Sequence, residues 1–230
     1  MSKNKILPIS VLLSAIMLAT HALLYKLSGP ISEKAGFFTY VPKLSQIDDL
    51  IPIVPVFITV YVLAYVFWFV CPIINSMASR ERYSDYMVGF AAAYIFGFIW
   101  LCLFPAVMDR SAEGIVDSLG DDIFSKMHLW FITYMDSGEI AHGLLPSFHS
   151  MSSAYCYFGV MGCRDIPKAL RIFVFVFSAA IVLSTLFLKQ HYILDAVAGI
   201  GLAAIFYALS RKFHWGRCMI PLLERAEKKK

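Results

Sequence analysis

Residues 188–210 read "LKQHYILDAVAGIGLAAIFYALS". The part from 193 to 210 is long and apolar enough to cross a bilayer as a helix. Yet it is headed by Lys189, His191 and Asp195, and charges are costly at such a place. Five further apolar blocks occupy 6–24, 51–74, 86–104, 151–162 and 170–188. Of the 230 residues, 59% are hydrophobic and only 16% are charged, with a mean hydropathy of +0.69. A soluble domain of this length carries more charge, and its apolar residues fall in stripes rather than blocks. The reading is an all-α polytopic membrane protein, with six transmembrane helices in one bundle and a single domain over 1–230. The fourth block is short, and 147–163 serves as its full span if the polar start lies at an interface. The first block follows Lys3 and Lys5. It is too long for a signal-peptide core and lacks a small-x-small cleavage site, so an uncleaved span is expected.

Charge sets the expected orientation. With the N-terminus in the cytoplasm, the inner segments are 1–5, 76–85, 163–171 and 211–230. They hold fourteen of the twenty Lys and Arg residues, against six on the other side. Both termini are then cytoplasmic, as in a multi-pass protein of the cell membrane. Topology accounts for the net charge of +4, so no nucleic-acid partner is expected. The basic segment 211–230 reads as a cytoplasmic tail. The loop 105–145 is acidic, which suits the outer side. Within it "IFSKMHLWFITYM" (123–135) mixes apolar and polar positions around Trp130 and Tyr134 and predicts a short helix on the outer interface. The five cysteines have neither metal nor disulfide spacing and read as small apolar residues.

This topology gathers three polar stations on the outer side: "LFPAVMDR", ending in Arg110; "GLLPSFHSMSS", with Ser147 and His149; and the opening stretch, with Lys189, His191 and Asp195. His191 and Asp195 are four positions apart and share one helical face. A carboxylate there can take the proton of one imidazole nitrogen and leave the other as nucleophile or base. A surface His and Asp at a helix start is the plainer alternative, but Asp195 lies past Ile193 and Leu194 and dips below the interface. Pro146 and Ser147 read as a helix start with Ser147 as cap, an end whose free N–H groups suit an anion. His149 falls in its first turn, and Arg110 offers a planar fork for phosphate oxygens. His21, His128, His142 and His214 look ordinary and receive no role.

"LPSFHS" (145–150), followed by "STLFLKQHYILDAVAG" (184–199), resembles the type 2 phosphatidic acid phosphatase superfamily. Its motifs are Lys-x6-Arg-Pro, Pro-Ser-Gly-His and Ser-Arg-x5-His-x3-Asp. The resemblance covers 105–199 by motif and the whole chain by architecture. It implies a lipid phosphate phosphatase without metal or other cofactor, acting through a phosphohistidine on an outer-face site. By the same resemblance His191 is the nucleophile, Asp195 its orienting acid and His149 the general acid. Ser147 and nearby backbone N–H groups would hold phosphate oxygens, and Arg110 would neutralise charge. Four positions depart from the motifs. Leu103 stands for the first Lys, Ser111 for Pro, Phe148 for Gly and Thr185 for Arg. Lys189 is the candidate substitute cation in substrate binding. The Ser-Thr…Lys-Gln-His-Tyr…Asp form is similar to the branch of inositol phosphorylceramide and sphingomyelin synthases. That makes a headgroup phosphotransferase the alternative. The sequence assigns no oligomeric state. A transporter is disfavoured because the polar residues cluster at one face rather than mid-membrane. A zinc hydrolase is disfavoured because no HExxH-type pair occurs.

Overall fold

The computed structural model describes residues 7–135 and 139–228. In chain order its helices are α1 (Leu7–Ala35), α2 (Ser45–Asp48), α3 (Ile58–Asn75), α4 (Arg80–Leu103), α5 (Ile123–Tyr134), α6 (Phe148–Val160), α7 (Lys168–Phe187), α8 (Ile193–Phe213) and α9 (Ile220–Lys228). Each predicted apolar block contains a helix. Among the described residues, α1, α3 with the 3-10 turn before it, α4, α7 and α8 are long and apolar enough to cross a membrane. Their outward side chains are apolar, including Leu12, Val66, Val176, Val197 and Ile205, while Ser10, Ser14, Ser152, Ser153 and Ser178 are buried. That is the arrangement expected when the solvent is lipid. The protein is an all-α polytopic membrane protein.

The fourth block is the exception in length. α6 has 13 residues, about 20 Å at 1.5 Å per residue, against a hydrocarbon layer of roughly 30 Å. It is enclosed instead, packed by α7 and α8 and flanked by α3 and α4. Eleven of its residues are buried. Protein neighbours rather than lipid surround it, which is why a helix so rich in serine is tolerated there. It stops at Val160, where the Arg82 guanidinium donates to the Gly159 and Met161 carbonyls at 3.0 and 2.6 Å.

Three boundaries differ from expectation. The span read as 51–74 begins only at the 3-10 turn Pro55–Phe57 that leads into α3. The span read as 86–104 starts at Arg80, with the Ser79 hydroxyl accepting from Arg82 N–H as its cap. Of the polar residues so added Ser84 and Asp85 are buried, and Asp85 anchors the end of α8, accepting from Arg211 at 2.8 Å and from Gly216 N–H at 2.9 Å. A side chain at Gly216 would strike the Ser84–Asp85 backbone. α1 runs well past residue 24, through Pro30 to Ala35.

Among its described residues, the segment 105–145 holds two strands and a helix. β1 (Val107–Asp109) pairs antiparallel with β2 (Ile140–His142), and Tyr40 bridges to Ala106 beside them. The predicted helix forms as α5, capped by Asp122, whose carboxylate accepts from Phe124 and Ser125 N–H. A small apolar cluster of Met108, Ile115, Ile132, Leu144 and Tyr192 lies beneath. Ionic ties join the loops. Lys43 bridges Asp49 and Glu113 at 2.8 and 2.6 Å, and the Tyr192 hydroxyl donates to Glu113 at 3.0 Å. These connections all lie at one end of the bundle, where α3, α6 and α8 begin and α4 and α7 end.

Candidate active site

The site is built on the starts of α6 and α8. Tyr192, in extended conformation, precedes α8, and Asp195 is the third residue of that helix. One carboxylate oxygen of Asp195 accepts from Tyr192 N–H at 2.9 Å and lies 3.4 Å from His191 Nδ1. The carboxylate thus closes the helix end and holds the imidazole by one nitrogen, leaving Nε2 for chemistry. The turn before it is tight. Lys189 has φ 51°, and the Thr185 carbonyl accepts from both Gln190 and His191 N–H.

Ser147 caps α6, its hydroxyl accepting from Ser150 N–H at 3.2 Å. Its own N–H donates to the Asp195 carbonyl at 3.0 Å, so the two stations are bonded directly. Gly199 makes that approach possible, since a side chain there would collide with the Ser147 carbonyl. His149 then lies in the first turn with its ring centroid 5.8 Å from that of His191. Both histidines and Asp195 are buried. Among the described residues, neither His149 nitrogen, nor Ser150 Oγ, nor Asp195 Oδ1 has a hydrogen-bond partner. Each such group costs about 1–3 kcal/mol when left unsatisfied. Unpaired imidazole nitrogens at a helix N-terminus suit an anionic guest such as phosphate.

Arg110, at the end of β1, is fully buried. Its Nη2 donates to Gln190 Oε1 at 3.0 Å, and the Gln190 amide nitrogen lies 3.1 Å from His128 Nε2 on α5. In that network His128 accepts through Nε2. Burial, then the charge of Arg110, lowers its pKa to about 4, so it is neutral at physiological pH. A neutral, accepting His128 orients the amide that in turn orients Arg110. Lys189 is placed otherwise: its ammonium donates to the Asp48 carbonyl. The Asp48 carboxylate also accepts from Ile193 N–H at 2.9 Å and Leu44 N–H at 2.7 Å. Among the described residues no three His, Cys, Asp or Glu side chains converge as metal ligands do.

The arrangement is two imidazoles, a carboxylate on one of them, and a buried guanidinium at the end of a membrane bundle. The sequence pattern of the family described as the PAP2 superfamily matches residues 34–209. The chain belongs to the PAP2 superfamily. No curated protein matches, and no solved structure does. The match supports the superfamily and does not single out the inositol phosphorylceramide synthase-like branch. PAP2 membership together with the apolar helices supports an enzyme of membrane phosphatase type, a phosphatase or phosphotransferase with a lipid-type substrate.

Two of the four departures from the PAP2 motifs have local accommodations. Phe148, in place of the motif Gly, is fully buried, and its room comes from Gly97 on α4, where a side chain would meet the Phe148 ring. Thr185, in place of Arg, turns its hydroxyl to the Val182 carbonyl at 2.7 Å and its carbonyl to the His191 turn. Two residues at this candidate site went unmarked in the sequence: Gln190, whose only signal was adjacency to His191, and His128, whose signal was a polar position amid the apolar residues of α5. His21 went unmarked too. It is buried 3.2 Å from the Tyr94 hydroxyl and 3.3 Å from Ser152 Oγ, and it lies outside the matched residues.

Proposed function

We propose that the protein is a lipid phosphate phosphatase that works without metal, through a phosphohistidine, at the outer face of the cell membrane. The observation that carries this reading is the pair of imidazoles 5.8 Å apart with Asp195 on Nδ1 of His191. In the first step His191 Nε2 attacks phosphorus and the phosphorus–oxygen ester bond breaks. The leaving oxygen takes the proton of His149, and the lipid alcohol departs. In the second, His149 takes a proton from water, whose oxygen bonds to phosphorus as the phosphorus–nitrogen bond breaks. Inorganic phosphate leaves, and His149 is protonated again. Asp195 stabilises the positive charge that His191 acquires. Ser147 and the free N–H groups of α6, with Arg110, hold the phosphate oxygens. Lys189 is the candidate second cation, and it reaches phosphate by exchanging the Asp48 carbonyl for it. The outer placement rests on charge: Arg80, Arg82, Arg164, Lys168, Arg171, Arg211 and Lys212 belong to the end opposite the site.

The test is purified protein in lipid vesicles containing phosphatidic acid, scored for inorganic phosphate and for an acid-labile phosphoprotein. Phosphate release that His191→Ala abolishes is the expected result. Unchanged release in His191→Ala refutes the mechanism. A second reading is favoured by the Lys-Gln-His-Tyr form of the third motif, in which Gln190 accepts from Arg110. It is phospho-headgroup transfer to a lipid alcohol, recognised by a lipid product that forms only when the alcohol is supplied.

A further inference from the structure

His191 has a carboxylate at its side, but His149 is surrounded by rings. The Tyr61 ring lies nearly parallel to it, centroids 4.4 Å apart at 17°. Trp68 is at 5.0 Å and 68°, and Tyr65 at 6.2 Å and 86°. These three are spaced i, i+4 and i+7 on α3, so they form one stripe of that helix facing the start of α6. The stripe is held from behind. Phe131 of α5 packs edge-on against Tyr61 at 5.2 Å, and Trp68 Nε1 donates to Ser153 Oγ at 3.0 Å. Tyr61 and Trp68 are buried. The other titratable groups around His149 are His21 on α1, its ring 6.1 Å away, and the His191–Asp195 pair.

A general acid must keep its proton until the leaving oxygen takes it. Among the described residues neither ring nitrogen of His149 has a hydrogen-bond partner, so no carboxylate is hydrogen-bonded to it to hold the charge. A carboxylate there would also repel the incoming phosphate and grip the proton strongly in a dry site. Aromatic faces attract an imidazolium more weakly and without a net charge of their own. We infer that Tyr61, with Trp68 beside it, is a positioning residue whose π face favours the imidazolium form of His149 against the cost of burying that charge, so that the proton is available to the leaving alcohol once the phosphate is bound. The inference rests on the reading of His149 as general acid.

The test compares two substrates in the full-length protein: phosphatidic acid, whose alkoxide leaving group needs a proton, and nitrophenyl phosphate, whose phenolate does not. Tyr61→Leu is expected to lower kcat on phosphatidic acid roughly 5- to 30-fold, the range a desolvated cation–π contact spans. On nitrophenyl phosphate the same variant is expected to stay within about threefold, the residual loss of a shifted ring. Tyr61→Phe keeps the face and is expected to restore the phosphatidic acid rate. Equal losses on the two substrates, no loss at all, or failure of Tyr61→Phe to restore the rate would each overturn the inference. His149→Ala is run alongside. If it shows no preference for the activated substrate, the acid assignment itself falls, and the stripe with it. If His149→Ala shows that preference and Tyr61→Leu does not, only the stripe falls.

Discussion

Asp195→Asn isolates what the buried carboxylate does. One oxygen of Asp195 serves two donors, Tyr192 N–H at 2.9 Å and His191 Nδ1 at 3.4 Å. An asparagine keeps a single oxygen acceptor, and the shorter bond to the backbone retains it. On the proposed mechanism, His191 then loses a charged acceptor at the moment it becomes a cationic phosphohistidine. A hydrogen bond to a charged group contributes about 1.5–3 kcal/mol, which at 1.36 kcal/mol per decade is a fall of roughly 10- to 150-fold in kcat. Stability should change little, because the variant removes a buried charge while keeping the α8 cap. The assay is single-turnover phosphate release with phosphatidic acid in vesicles, paired with a melting curve of the same preparation. A variant that melts like the parent and turns over within threefold of it would refute the orienting role.

Four further outcomes are expected. Gly199→Val drives a side chain into the Ser147 carbonyl, so it should destabilise by about 1–3 kcal/mol and lose most activity, read from melting and turnover together. Arg110→Lys removes the planar fork while keeping the charge, and KM for phosphatidic acid should rise about tenfold or more; an unchanged KM places Arg110 outside phosphate binding. Lys189→Ala should raise KM a few-fold if the ammonium trades Asp48 for phosphate. An unchanged KM with a lower melting temperature would confine Lys189 to holding the turn. His128 has a folded-state pKa near 4, below the ordinary value, so between roughly pH 6.5 and 4 the unfolded chain binds the proton and the folded one does not. Stability should therefore fall as pH drops through that window, and His128→Gln should lessen the fall in melting temperature.

The long helices were legible because blocks of apolar residues with charged ends have few alternatives, and α5 was legible from the mixed pattern around Trp130 and Tyr134, while its cap, Asp122, went unread. What escaped was whatever depended on neighbours. The start of α4 at Arg80 could not be read from "RERYSD", since the burial of Asp85 is decided by Arg211 and Gly216 more than a hundred positions away. The β1–β2 pair consists of three residues on each side, too few to leave a period. At the site, His191 and Asp195 declared themselves through their four-residue spacing. Gln190, His128 and the stripe of Tyr61, Tyr65 and Trp68 did not, because a ring facing the core and a ring facing an imidazole look alike in sequence.

The shortness of α6 bears on how the molecule is assembled. A helix of 13 residues that carries His149, Ser150, Ser152 and Ser153 is too short and too polar to reside alone in a bilayer. Its backbone is tied to elements that arrive later in the chain: α7, which brings the Ser178 hydroxyl to the Ser153 carbonyl, and α8, which brings the Asp195 carbonyl to the N–H of Ser147, the cap of α6. On the proposed mechanism, that bond ties the helix of the general acid to the helix of the nucleophile. A chain inserted only as far as α6 carries His149 but still lacks His191 and Asp195, and so holds only half of the proposed site.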